Sequence, residues 1–159
     1  MKIHKYSNII ASKEQNRTIL GEIETLSKCY PKIGKWFFKK VVPNIGNKRD
    51  IIFIEDEDNN ILGFSIVKNK KKWLKISTFK IVDKEQNKGL GTLLLNYLLK
   101  EYSPKNGFYI SFKHNNKDSF NSLFKRINHD KYKDITIKEC YKTGDYTLYF
   151  SIEGIKDHI

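Results

Sequence analysis

The sequence predicts one α/β domain of the α+β type, spanning residues 1–159, with a mixed and mostly antiparallel central sheet flanked by helices. Three observations lead there. Apolar runs rich in β-branched and aromatic residues, at 51–54, 61–67, 108–112 and 146–150, have the length and composition of strands. Segments 13–30 and 90–102 instead repeat apolar residues every three or four positions, as amphipathic helices do. In the middle of the chain a strand, a glycine turn, a helix and another strand follow in order, which makes a parallel pair inside an otherwise antiparallel sheet. A chain of 159 residues buries about two-thirds of its unfolded surface in one core, so no second domain is needed.

Taken in order, a first strand is expected around Met1 to Tyr6. Lys13 to Tyr30 reads as a helix, with Ile19, Ile23, Leu26 and Tyr30 on one face and Glu14, Arg17, Glu22 and Lys28 largely opposite. Ser12 is a plausible N-cap, Gln15 completes a capping box, and Pro31 ends the helix. A shorter helix is expected over Lys32 to Val42, where Ile33, Trp36, Phe37, Lys40 and Val41 share a face and Trp36 and Phe37 read as core. Residues 43–47 then break the chain. Ile51–Ile54 and Ile61–Val67 form a hairpin across Asp56–Asn60, a solvated loop tip to which no metal is assigned.

The basic turn Lys68–Lys72 leads into a strand carrying Leu74, Ile76, Phe79 and Ile81. A helix opens near Gly89 or Leu90 and ends near Tyr102, with Leu90, Leu93, Leu94, Tyr97 and Leu98 as its apolar face. After the loop Ser103–Gly107, Phe108–Phe112 reads as a buried strand, and Lys117–Ile127 as a helix with Phe120, Leu123, Phe124 and Ile127 together. Ile135–Cys140 and Tyr146–Phe150 close the sheet, turned at Lys142–Asp145.

A formal net charge of +12 suits an anionic partner, whether nucleic acid or a polyanionic small molecule. Arg17, Arg49 and Arg126 are the only arginines among thirty basic residues, and base-edge readout leans on arginine forks. The lysines are spread from Lys2 to Lys156, so nucleic acid is not the favoured partner. No apolar run reaches the ~18 residues of a membrane span, and Met1–Tyr6 lacks a secretory apolar stretch, so no membrane partner and a cytoplasmic location are expected. Cys29 and Cys140 have no metal-ligand spacing and read as buried free thiols.

The functional argument converges on Gln86-Asn87-Lys88-Gly89-Leu90-Gly91-Thr92, between a strand and a helix start. Backbone N–H groups lie free there and the helix dipole is positive, which makes an anion site. The order Lys88-Gly89 is wrong for a Walker loop, and Asn87 stands where a dinucleotide fingerprint would need glycine.

Phe79-Lys80-Ile81, the turn at Gln86–Gly91 and Thr92–Leu95 resemble, at matching spacing, the acetyl-CoA loop of the Gcn5-related N-acetyltransferase (GNAT) superfamily. The order of elements agrees along nearly the whole chain. The resemblance implies a sheet splayed at its parallel strand pair, and acetyl-CoA as co-substrate with no metal. It implies cofactor contacts from Phe79, Lys80, Ile81, Gln86, Asn87, Lys88, Gly89, Leu90, Gly91, Thr92, Asn115, Asn116 and Phe124. The main chain of Phe79 and Ile81 would pair with the pantetheine arm, the N–H groups of Gln86 to Thr92 would converge on the pyrophosphate, and the N–H of Ile81 or Lys80 would steady the oxyanion.

The sequence also departs from the family. Ser77 stands where many members carry a carboxylate, and Phe124 where they often carry a proton-donating tyrosine. Lys117 takes the place of a usual asparagine and Asn128 that of a usual glycine. The catalytic acid and base therefore stay unassigned, with Tyr132, Tyr141, Tyr146, His129 and Glu24 as residues able to reach a cleft. The expected function is acetyl transfer from acetyl-CoA to an unidentified amine by direct attack in a ternary complex. Alternatives are an acetyltransferase toxin acting on aminoacyl-tRNA and a non-catalytic acyl-CoA binder. A homodimer is possible.

Overall fold

The computed structural model describes residues 1–5, 13–26, 32–113, 131–132, 134–140 and 145–152. The expected helix at Lys117–Ile127, the Ser12 cap, the turn at Lys142–Thr143–Gly144, and Cys29, Asn115, Asn116, Phe124, Asn128, His129 and Tyr141 lie outside them. The described strands are β1 (Lys2–Lys5), β2 (Arg49–Glu55), β3 (Ile61–Lys70), β4 (Trp73–Ile81), β5 (Gly107–Lys113), β6 (Asp134–Cys140) and β7 (Asp145–Ser151). They form one sheet in the order β1-β2-β3-β4-β5-β7-β6. β4 and β5 run parallel, and the other neighbours are antiparallel. The described helices are α1 (Lys13–Leu26), α2 (Ile33–Trp36) and α3 (Leu90–Tyr102).

α3 makes the crossover between the parallel strands and lies on one face of the sheet. Its Leu90, Leu94, Leu95 and Leu98 are buried against Ile52, Val67, Leu74, Ile76, Phe108 and Leu148. Each fully buried leucine contributes about 1.5–3 kcal/mol by leaving water. The expected apolar stripe is corrected at one position: Leu93 is 42% exposed, and Leu95 takes its place in the core. The stripe is wider than a strict heptad seam, which lets it roll by one residue. The opposite face buries Ile51, Phe53, Phe64 and Ile66 under Ile19 and Ile23 of α1 and under Phe37 and Val41.

The second helix keeps its position but changes its winding. α2 passes into a π turn at Phe37–Val41 and a 3₁₀ turn at Val42–Asn44, so the expected Lys32–Val42 segment is not a regular α-helix. Phe37 and Val41 are buried, whereas Lys40 is exposed rather than on the buried face. Pro43 sits inside the 3₁₀ turn, whose first residues need no N–H donor.

Gly107 fixes where β5 enters the sheet. With φ +152°, it lets the chain pass so close to β7 that a Cβ there would lie 1.9 Å from the Phe150 carbonyl oxygen. The flanking main chain is tied down, since the Asn106 N–H donates to the Lys72 carbonyl and the Ile152 N–H to the Asn106 carbonyl. No helix among the described residues is long and apolar enough to cross a membrane.

Candidate functional site

The site begins with one extra residue. Along the β3–β4 ladder Val67 faces Ile76 and Ile66 faces Thr78, so Ser77 is left over as a β-bulge. The parallel register with β5 runs from Trp73 opposite Gly107 to Ile76 opposite Ile110. There it stops. Among the described residues, β5 pairs from Ser111 to Lys113 with β7 alone, while β4 continues to Ile81 paired with β3 alone. The two parallel strands therefore part at the bulge.

Main-chain alternation tells which groups face the opening. Just past the end of β4, the Val82 N–H donates to the Leu62 carbonyl of β3, so the main chain of Lys80 points to the β3 side and that of Phe79 and Ile81 to the open edge. Of the two N–H groups the sequence offered for an oxyanion, it is that of Ile81 which faces the opening. Phe79 and Ile81 are half-buried and pack their side chains on the α3 core.

A 3₁₀ turn at Asp83–Glu85 carries the chain from β4 to the glycine turn. The Gln86 side-chain amide bridges back, 3.2 Å from both the Ile81 carbonyl and the Asp83 carboxylate, which Lys80 also meets at 2.9 Å. Lys88 pairs with Glu85 at 3.0 Å. Its charge is thus partly held by the loop. Gly89 is the N-cap of α3 at φ +80° and Asn87 also lies in the left-handed region at φ 65°. Both residue types tolerate that geometry best. Gly91 lies inside the first helical turn, without positive φ. The first α3 bond runs from the Leu93 N–H to the Gly89 carbonyl, so the N–H groups of Leu90, Gly91 and Thr92 have no intrahelical acceptor. The turn at 86–89 is exposed, and the Gln86 amide ties it to the Ile81 carbonyl at the end of β4.

On the other face of the bulge, Arg49 of β2 donates to the Ser77 hydroxyl at 3.1 Å and lies over the Trp36 ring at 5.4 Å. Trp36, read from sequence as core, is half-buried and serves as a platform for this cation. Glu22 of α1 is half-buried on the same side. Burial raises its carboxyl pKa above the ordinary 4.5, Lys80 opposes that rise, and Asp83 adds to it. The sequence placed Glu22 on the outer face of its helix and so passed over it. Neither Arg49 nor Glu22 carries a spacing signal, because their neighbours are supplied by other elements.

Two of the residues considered for a cleft pack with the core on the α3 side. The Tyr132 hydroxyl is buried and donates to the Pro104 carbonyl at 2.6 Å, and Tyr146 packs against the α3 core. Glu24 is exposed on α1. Asp56 accepts the N–H groups of Asp58 and Asn60, so the acidic stretch is a self-capped turn. Among the described residues no group of three or more His, Cys, Asp or Glu could hold a metal ion.

The fold that carries this site superposes on solved structures over nearly its whole length. Tetrahymena GCN5 superposes with TM-score 0.63 over 99% of this chain and 100% of that one, at 16% identity. The chain has the GNAT fold. The ribosomal-protein-S18-alanine N-acetyltransferase of Escherichia coli aligns with TM-score 0.60 at 13% identity, covering 99% of each chain. A GNAT family acetyltransferase from Elizabethkingia anophelis, solved with acetyl-CoA bound, aligns with TM-score 0.62 at 13% identity over 93% of this chain and 95% of that one. No family model and no curated protein matches the sequence.

Proposed function

We propose that the chain is an acetyl-CoA-dependent N-acetyltransferase that moves the acetyl group directly to an amine in a ternary complex. The observation that carries this reading is the parting of β4 and β5 at the Ser77 bulge, with the open main chain of Phe79 and Ile81 leading straight into the turn at Gln86–Thr92. An extended pantetheine arm fits the empty side of β4 as an added strand, held by the Phe79 and Ile81 peptide groups. Its pyrophosphate fits the turn, where Leu90, Gly91 and Thr92 supply N–H donors and the helix dipole adds about 0.5–2 kcal/mol. Acetyl-CoA supplies an activated thioester. A main-chain N–H on the open edge of β4, at the end where the thioester lies, donates to the oxygen that gains charge as the amine attacks.

Proton removal falls to Glu22, the half-buried carboxylate of α1 whose raised pKa brings it nearer to working pH. It acts through water, and Ser77 can hold such a water in place of the absent carboxylate. Once the C–N bond has formed the C–S bond breaks, and CoA leaves as a thiolate that solvent protonates. Glu22→Gln is expected to lower kcat by about 10²-fold and to flatten the acidic limb of the pH–rate profile.

Thermal unfolding with acetyl-CoA tests the donor assignment. At 100 times its dissociation constant the cofactor should add about 2.7 kcal/mol of stability. Free thiol should then appear only when an acceptor amine is present. Absence of any stabilisation overturns the reading.

A further inference from the structure

Three cations stand in a row across the sheet beside the bulge. Arg49 of β2 faces Lys68 of β3, and Lys68 faces Lys75 of β4. Directly opposed like charges repel across a ladder, and a sheet has no reason of stability to line up three of them. No ion pair between these residues and a carboxylate occurs among the described residues. Lys70 adds to the field from the end of β3, its ammonium 6.0 Å from the Tyr109 ring. Lys75 is half-buried, and burial, with Lys70, Arg49 and Lys68 around it, depresses its pKa.

Arg49 is also pre-set for a ligand. Trp36 supports one face of the guanidinium and Ser77 takes one N–H. A guanidinium has five such donors in a rigid fork. That fork suits a carboxylate or a phosphate. It sits at the residue where β4 and β5 part, which under the acetyltransferase reading is where the acceptor meets the thioester.

We propose that the acceptor is an amine bearing an oxyanion group, a carboxylate or a phosphate, and that Arg49 grips that group beside the Ser77 bulge within the field of Lys68 and Lys75. The proposal rests on the acetyltransferase reading for the amine and on the cation row for the anion. The same field repels polycations and favours loss of a proton from the attacking amine. An α-amine, with an ordinary pKa of about 7.7–8.0, is then easier to deprotonate than a lysine-type amine near 10.4.

Two measurements test it. In the first, CoA-saturated protein is melted with inorganic phosphate, with acetate and with chloride at equal ionic strength, CoA occupying the pyrophosphate turn. Wild type should be stabilised by phosphate or acetate beyond chloride, Arg49→Gln should lose that shift, and Arg49→Lys should keep part of it. Phosphate and acetate distinguish the two oxyanions. An identical shift in wild type and Arg49→Gln, or none in wild type, overturns the proposal. Should Arg49→Gln fold poorly, Lys75→Gln, read the same way, should weaken the shift.

In the second, transfer is compared within matched pairs: an amino acid and its amide, phosphoethanolamine and ethanolamine, with spermidine as the polycation. The anionic member should have kcat/KM at least tenfold higher, through KM, and Arg49→Gln should erase that ratio. Equal rates within a pair, preference for spermidine, or transfer confined to an amine carried on RNA overturns it. If acetyl-CoA fails to stabilise the protein, the acetyltransferase reading falls, while the anion shift is still decided by phosphate and acetate.

Discussion

The two ends of β4 have similar composition and opposite surroundings. Trp73 to Ile76 lie between β3 and β5, with Leu74 and Ile76 fully buried and the Trp73 ring edge-on to Tyr109 and Tyr149. Ser77 to Ile81 have β3 on one side only, and Phe79, Lys80 and Ile81 are no more than half-buried. One inserted residue separates the two regimes. A paired strand end satisfies its own peptide groups and stabilises the fold, whereas an open end leaves donors and acceptors that a ligand can complete. The contrast teaches that a binding edge need not be added to a sheet: it is made by ending one ladder early while its neighbour continues.

The paired end is broken most severely at Gly107. Gly107→Ala would set a Cβ 1.9 Å from the Phe150 carbonyl and 2.8 Å from the Ser151 Cα, at a φ of +152° that side chains rarely adopt. A loss of about 3 kcal/mol is expected in chemical denaturation. Acetyl-CoA affinity of the remaining folded protein should change little if the two ends are independent.

The open end is broken at Gly89. Proline cannot adopt φ +80°, so Gly89→Pro should remodel the turn and weaken acetyl-CoA binding by about 100-fold, about 2.7 kcal/mol by calorimetry. The far-ultraviolet circular dichroism should be nearly that of wild type. Unchanged affinity would reduce the turn to a connector.

A smaller effect sharpens the picture of the loop. Lys88 is exposed and paired with Glu85, so Lys88→Ala should raise the acetyl-CoA dissociation constant only about 2- to 5-fold, with a weaker salt dependence than wild type.

The smallest expected change concerns the face opposite α3. Because burial raises the folded pKa of Glu22, its ionisation works against folding. Stability present below the ordinary pKa of 4.5 is lost as pH rises through the folded value. Glu22→Gln should therefore melt slightly higher than wild type at pH 7, and the difference should close on acidification below pH 4.5. A constant difference across that range would place Glu22 in ordinary solvent.

Much of this architecture was legible in the sequence because it depends on local pattern. The apolar run at 61–67, the leucine spacing after Leu90 and the glycine at the head of that helix each report on their own neighbourhood, and all three elements formed where expected. The miss at Leu93 shows the limit of such patterns, since several apolar residues compete for one core-facing stripe and packing chooses among them. The π turn at Phe37–Val41 was not legible, because no residue type signals it and the anchoring of Phe37 and Val41 decides the winding.

The proposed acceptor side was largely hidden for a related reason. Arg49, Ser77, Trp36 and Glu22 come from β2, β4, α2 and α1, far apart along the chain, and strand register brings Arg49 opposite Lys68 and within reach of Ser77. The sequence by itself determined the turn proposed to hold the donor, where strand end, turn and helix start are consecutive and their geometry follows from glycine and helix propensity. Only the tertiary structure decided which main-chain groups of β4 lie open and which cation stands beside them. Those facts are set by register, bulge and side-chain packing between distant segments, and local physical chemistry carries no record of them.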